Sequence, residues 1–171
     1  MESLNIHKQE SVNEKLIDEM VELDKKCFPG GLFIQKEDLT PMLENPDLVL
    51  DVVRGSDDKL IGYAYGMPLR DVFEELKEAD VDLQDEEGVL YLYSTATDPE
   101  NRSLEMFFRL IKGFEDKVRQ KGYKKIQRHS RVTEGYSAIL QKRYDYKYIR
   151  TMENWMHSGE KFDFLEKEID D

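Results

Sequence analysis

The sequence predicts a mixed α/β fold with a mostly antiparallel sheet flanked by helices, in the order β-α-α-β-β-β-α-β-α-β-β. Three stretches carry that reading. Gly88 to Thr97 is a run of β-branched and aromatic residues, which marks a buried strand, and Pro99 ends it because proline cannot donate to a sheet ladder. Directly after it, Leu104, Phe107, Phe108, Ile111, Phe114 and Val118 recur at helical spacing, with Lys121 and Gly122 as a stop signal. Leu48 to Arg54 and Leu60 to Met67, joined by Gly55-Ser56-Asp57-Asp58, form a hairpin pattern.

The remaining elements follow in chain order. Ile6 lies in a short first strand. Ser11 to Lys26 is an amphipathic helix with Leu16, Ile17, Met20, Val21 and Leu23 on one face, capped by Ser11 or Asn13. Phe28-Pro29-Gly30-Gly31 ends it. Gln35 to Glu44 is a second short helix, with Pro41 near its start or kinking it. Gly62 and Gly66 inside the hairpin's second strand mark close backbone approach. In Asp71 to Glu87, nine carboxylates face only Lys77. Val72, Phe73, Leu76 and Ala79 make a short helix there, and the rest is an acidic loop. Lys124 to Val132 is a strand. Thr133-Glu134 starts a helix with Tyr136, Ile139, Leu140 and Tyr144 on one side, ended by Asp145. Tyr146 to Trp155 and Phe162 to Ile169 are the closing strands around a turn at Ser158-Gly159.

With 171 residues, no repeat and no linker, residues 1–171 are expected to form a single domain. No apolar run reaches the length of a membrane span, and Met1 to Lys15 is too polar for a signal peptide. Cys27 is the one cysteine, so no disulfide or thiolate cluster forms within the chain, and it is expected to be buried and inert. A cytoplasmic location is expected. A net charge of −12 argues against nonspecific binding to nucleic acid or anionic lipid and suits a cationic substrate. His7, His129 and His157 lack metal-ligand spacing, so no metal is expected.

A strand that turns sharply into a helix leaves backbone N–H groups unpaired at the helix N-terminus, and these form an anion site. The chemistry-bearing side chains are scattered. His129 is a candidate general base near neutral pH. Glu134 is a candidate base acting through water. Tyr144 and Tyr136 are candidate proton donors, and Tyr91 and Tyr93 candidate cleft residues. The acidic segment would act as an electrostatic funnel for an amine or a basic peptide.

The order of elements and several local motifs resemble the GNAT superfamily of acyl-CoA-dependent N-acetyltransferases over nearly the whole chain. Cys27-Phe28-Pro29 resembles the end of that family's first helix. Lys59-Leu60-Ile61-Gly62-Tyr63-Ala64 resembles its third strand. Thr97-Asp98-Pro99-Glu100-Asn101-Arg102 resembles the start of its cofactor loop. Asn154-Trp155-Met156-His157 and Gly159 to Ile169 resemble the closing hairpin of its peptide-acetylating branch. The resemblance implies acetyl-CoA as co-substrate. Ala96 and Thr97 would face the pantetheine and thioester, and the backbone of Arg102, Ser103, Leu104, Glu105, Met106 and Phe107 would face the pyrophosphate. It implies direct attack by an amine, with positioning, an oxyanion donor and proton transfers from the protein.

The chain departs from that family at both functional positions. The loop's two small residues are Glu105 and Phe107, one bringing negative charge and the other bulk. The frequent tyrosine acid falls at Gln141, which cannot donate a proton as an acid. Glu134 stands where Asn is usual and Asp145 where Gly is usual. Two functions follow. The chain is an N-acetyltransferase acting on an amine-bearing small molecule or protein. Alternatively it is an inactive GNAT-fold binding or regulatory module, with Glu105 and Phe107 plugging the old pyrophosphate pocket. An exposed edge strand near the C-terminus offers a place for a second copy to pair.

Overall fold

The computed structural model describes residues 11–28 and 30–170. The strand expected at Ile6 and the Pro29 stop lie outside the described residues. Among the described residues, five α-helices flank a six-stranded, mostly antiparallel sheet. Helix α1 (Glu14–Cys27) begins where the Asn13 side chain accepts the Leu16 N–H at 3.0 Å, and it ends with Lys25 and Lys26 at the negative pole of its dipole. Helix α2 (Lys36–Leu43) carries Pro41 inside it and buries Leu39 and Leu43. Strands β1 (Val49–Arg54) and β2 (Leu60–Pro68) pair antiparallel from Val49↔Gly66 to Arg54↔Leu60, as the hairpin pattern predicts.

Helix α3 (Leu69–Ala79) buries Leu69, Val72 and Leu76. It starts before the segment whose periodicity announced it, since Pro68 supplies the N-cap backbone. Strand β3 (Val89–Thr97), helix α4 (Leu104–Gln120) and strand β4 (Lys125–Arg131) follow, then α5 (Tyr136–Arg143), β5 (Lys147–Met152) and β6 (Phe162–Glu168). The sheet order is β1-β2-β3-β4-β6-β5, with β3 and β4 parallel over Val89–Tyr91 and Lys125–Gln127.

Contacts divide the chain into two compact units, the first holding residues up to 66 and 94–118, the second 67–93 and 119 onward. In the first, α4 buries Met106, Phe107, Leu110, Ile111, Phe114 and Val118. Gly62 lies close against that packing: a Cβ there would sit 3.4 Å from the Ala96 carbonyl oxygen and 3.4 Å from Met106 Cε, at contact distance. Two polar ties are buried beside this core. Lys117 Nζ lies 2.6 Å from Asp51 Oδ1 and donates to the Leu50 carbonyl at 2.7 Å. Asp24, at the end of α1, accepts from the Tyr63 hydroxyl and from the Ile34 N–H at 2.6 Å.

In the second unit, β6 pairs antiparallel with both β4 and β5, and α5 packs against β4 and β6. Asp163 on β6 accepts from Ser137 on α5 and from Thr151 on β5, and Gln141 donates to the Ser137 hydroxyl at 2.9 Å. Gln141, expected to replace an acid, is thus part of a structural tie. The pairing of β5 with β6 shifts register between Tyr148 and Arg150, so Ile149 forms a bulge on that edge strand.

Three expectations at the C-terminal end are corrected. Strand β5 stops at Met152, and Trp155 lies in a 3-10 turn rather than in the strand. Helix α5 starts at Tyr136, because Glu134 and Gly135 have φ of 65° and 78°, outside helical space. It ends at Arg143, so Tyr144 is a buried C-cap residue and the face it was expected to share is instead centred on Ser137 and Leu140. Cys27 is half-buried rather than buried.

Asp145 has φ 59°, the left-handed conformation that favours glycine. Asp145→Gly should therefore raise the unfolding free energy, by about 0.5 kcal/mol once glycine's greater freedom in the unfolded chain is subtracted. Urea titration of both proteins measures it, and a loss of stability would refute the strain.

Candidate functional site

The first candidate lies in the first unit, where β3 passes into α4. Ala96 and Thr97 end the strand and are buried. Asp98 then turns the chain: its N–H donates to the Ile61 carbonyl, its carboxylate accepts the Glu100 N–H, and its carbonyl accepts the Asn101 N–H. The Asp98 side chain is buried, with Lys59 Nζ at 3.5 Å and Lys26 Nζ at 4.0 Å. Burial would raise its carboxyl pKa, but the Glu100 N–H and the two lysines bring it below the ordinary value. The turn is therefore a fixed, ionised anchor.

Thr97 presents its carbonyl to the Cys27 thiol at 3.2 Å and to Arg102 Nη2 at 3.5 Å. Burial pushes the Cys27 thiol up, which keeps it protonated and unreactive at neutral pH. Ser103 caps α4, its hydroxyl accepting the Met106 N–H at 3.0 Å. Arg102, Ser103, Leu104 and Glu105 are exposed, while Met106 and Phe107 are buried. The expected loop therefore divides: four residues at the surface, two in the core. The N–H groups of Leu104 and Glu105 occupy the first turn, where no helical carbonyl reaches them. Glu105 turns its carboxylate along the helix to Arg109 at 2.7 Å.

The second candidate lies in the second unit and surrounds His129 on β4. Its ring is almost wholly buried and both nitrogens are engaged. Nε2 is 3.0 Å from Asp80 Oδ2, and Nδ1 is 2.7 Å from the Tyr91 hydroxyl. Trp155 stacks on it with centroids 4.0 Å apart, and Phe164 lies at 4.8 Å. Arg150 on β5 clamps Asp80 with two donors, Nε to Oδ1 at 3.0 Å and Nη2 to Oδ2. Its guanidinium carbon sits 4.4 Å from the Phe164 ring centroid.

The protonation states follow from these contacts. Burial lowers the His129 pKa more than Asp80 raises it, and Arg150 lowers it further, so the imidazole is neutral at pH 7. Burial alone would raise Asp80, but hydrogen bonds from His129 and Arg150 hold its carboxyl at about 2. Burial raises the Tyr91 phenol, which stays protonated. Nearby, the Tyr93 hydroxyl donates to Glu75 at 2.6 Å on the exposed side of α3.

Of the other candidates, Glu134 is exposed in the turn before α5 and Tyr144 is buried at its end. Sequence reasoning missed Asp80 and Arg150. The first was read as one carboxylate among many in an acidic stretch, the second as an ordinary strand residue. Among the described residues, no three His, Cys, Asp or Glu side chains converge as a metal site, and no helix is long and apolar enough to cross a membrane.

No family model matches the chain, and no curated protein matches it in sequence. Solved structures do match. A chain of the NatC complex bound to Gag peptide and CoA superposes with a TM-score of 0.76 at 11% identity, covering 99% of this chain and 100% of its own. The ribosomal-protein-S18-alanine N-acetyltransferase from Escherichia coli gives 0.72 at 9% identity, covering 100% and 96%. An aminoglycoside 6'-acetyltransferase type Ii gives 0.70 at 17% identity, covering 96% and 97%. With the strand order, the β3–α4 turn and these superpositions in agreement, the chain has the fold of the GNAT superfamily of N-acetyltransferases.

Proposed function

We propose that residues 1–171 act as one domain that transfers an acetyl group from acetyl-CoA to a primary amine of a small molecule or protein. The observation that carries this reading is the open first turn of α4. Glu105, the charge that would repel a pyrophosphate, is held by Arg109 at 2.7 Å, and Phe107, the bulk that would fill its place, is 6% exposed in the core. Backbone N–H groups and the helix dipole remain to receive phosphate oxygens without the usual glycines. Of the loop from Arg102 to Phe107, the exposed backbone up to Glu105 would take the pyrophosphate, and Ala96 and Thr97 the pantetheine and thioester. Proton transfers fall to His129, Glu134 or Tyr144, with no metal. The solved PaiA N-acetyltransferase from Thermoplasma acidophilum in complex with coenzyme A, similar to this chain at 13% identity, supports that cofactor class. The −12 net charge supports an amine acceptor and no nucleic acid or membrane partner. The proposal extends to a cytoplasmic protein, with pairing of a second copy at the C-terminal edge strand.

One observation favours the binding-module reading: the Ser103 hydroxyl already takes the Met106 N–H, one donor of that first turn. Titration calorimetry with acetyl-CoA, desulfo-CoA and CoA separates the two. The enzyme reading expects micromolar dissociation constants, and an absence of heat and of thermal shift at millimolar ligand would refute it. Glu105→Gln removes a negative charge from the first turn and should tighten acetyl-CoA binding by about 2- to 5-fold, the effect of one charge at a helix end. Unchanged or weaker binding would place the pyrophosphate elsewhere.

A further inference from the structure

Helix α4 leaves an apolar flank at the surface. In the first unit, among the described residues, Leu104 and Phe108 are the large apolar side chains that are exposed, at 51% and 49%. They stand four residues apart, so they lie one above the other, beside the buried stripe of Phe107, Leu110, Ile111 and Phe114. Single exposed apolar residues are ordinary, whereas a neighbouring pair with an aromatic ring makes a patch. The charge around it is unusual for this chain. Residues 102–112 carry Arg102, Arg109 and Lys112 against Glu105, three cations to one carboxylate, in a chain of net charge −12. Lys112 is exposed one turn beyond Phe108, 3.9 Å from Asp116. Glu105 is turned to Arg109 at 2.7 Å. An aromatic ring with a cation on one side and first-turn N–H groups on the other suits a purine nucleotide. The base takes the ring's face and the phosphates take the positive charge.

We propose that Leu104 and Phe108 form the platform on which the purine of acyl-CoA packs, with Lys112 facing its ribose 3'-phosphate. The proposal rests on the acetyl-transfer reading above and adds to it what holds the nucleotide end. In CoA a ribose alone separates the pyrophosphate from the purine. On α4 one turn, about 6 Å at 1.5 Å per residue, separates the Leu104 position from Phe108. Helix side chains lean toward the N-terminus, which carries the Phe108 ring back toward the first turn. A base on that ring therefore leaves its pyrophosphate beside the N–H groups of Leu104 and Glu105. Stacking needs only a π-face, so the platform requires no hydrogen-bonding groups to read the base.

Titration calorimetry with three probes tests this: CoA, dephospho-CoA, which lacks the 3'-phosphate, and 4'-phosphopantetheine, which lacks the nucleotide. Phe108→Ala should weaken CoA and dephospho-CoA by about 10-fold, the effect of taking an aromatic ring from a stacked base, and leave 4'-phosphopantetheine unchanged. Lys112→Gln should weaken CoA by about 2- to 5-fold and leave dephospho-CoA unchanged. Phe108 is half exposed, so the alanine variant is expected to fold, and thermal unfolding checks it. Should it not fold, Leu104→Ala carries the same expectation with a smaller loss. Unchanged CoA binding, or an equal loss for all three probes, overturns the platform. A second copy covering this flank would give a dimer in sedimentation that Phe108→Ala dissociates without changing CoA affinity, which also overturns it. A wild type that binds CoA no more tightly than 4'-phosphopantetheine overturns the platform alone. A wild type that binds neither overturns the acetyl-CoA reading and the platform with it.

Discussion

Replacing Lys117 with methionine should lower the unfolding free energy by about 3 kcal/mol, the cost of breaking a buried ion pair from one side. Lys117 reaches across from α4 to β1, where its ammonium lies 2.6 Å from a carboxylate oxygen of Asp51, itself 1% exposed, and donates to the Leu50 carbonyl. Methionine keeps most of the side-chain volume, so the loss is electrostatic rather than a cavity. The control is Asp51→Asn combined with Lys117→Met. Removing both charges should recover more than half of the deficit, and the coupling energy from the four proteins isolates the pair. Denaturant unfolding measures all four. A single variant within about 0.5 kcal/mol of wild type would show that the Asp51 charge is held by other groups.

Arg150→Met should cost a similar amount, about 3 kcal/mol at pH 7, and the cost should depend on pH. Arg150 supplies two of the donors that keep Asp80 ionised. Asp80 has its folded pKa depressed to about 2, so its contribution is present above its unfolded value and is lost as pH falls through the folded one. In Arg150→Met the carboxyl pKa rises, and the gap between variant and wild type should close between about pH 4 and pH 2, the unfolded and folded limits. His129 works in an earlier window. Its folded pKa is lowered by burial and by Arg150, so unfolded chains bind more protons once pH drops below the ordinary histidine value of about 6.5. Wild-type stability should therefore begin to fall below that pH. The first decline should shrink in Arg150→Met and vanish in His129→Asn. A gap that stays constant from pH 7 to pH 2 would exclude the Asp80 assignment.

Much of the fold was legible because its signals are local. Asn13, the spacing of Leu16 to Leu23, the Gly55–Asp58 turn and the apolar stripe of α4 each act within one element. The misreadings cluster where backbone conformation departs from residue type. Glu134 and Asp145 sit at positive φ with no glycine to announce it, and Met156 and His157 do the same after β5. Those four positions shortened α5 and β5 relative to the patterns around them. The helix and sheet periods carry no information about such single-residue turns.

The candidate sites divide along the same line. The anion site proposed at the start of α4 rests on contiguous residues, so the strand, Pro99 and the apolar spacing that follow sufficed to propose it. Where Glu105 and Phe107 point was decided by the helix's own geometry: Arg109 one turn on pairs with the first, and the core absorbs the second. The surroundings of His129 could not be read from the chain. Tyr91, Asp80 and Arg150 are brought together across 38, 49 and 70 positions. By itself the sequence determined the order of helices and strands, because periodicity, caps and turn residues act over a few residues. Only the tertiary structure decided which carboxylate in an acidic stretch is buried and which arginine clamps it. Burial and charge pairing depend on distances between segments that no local pattern encodes.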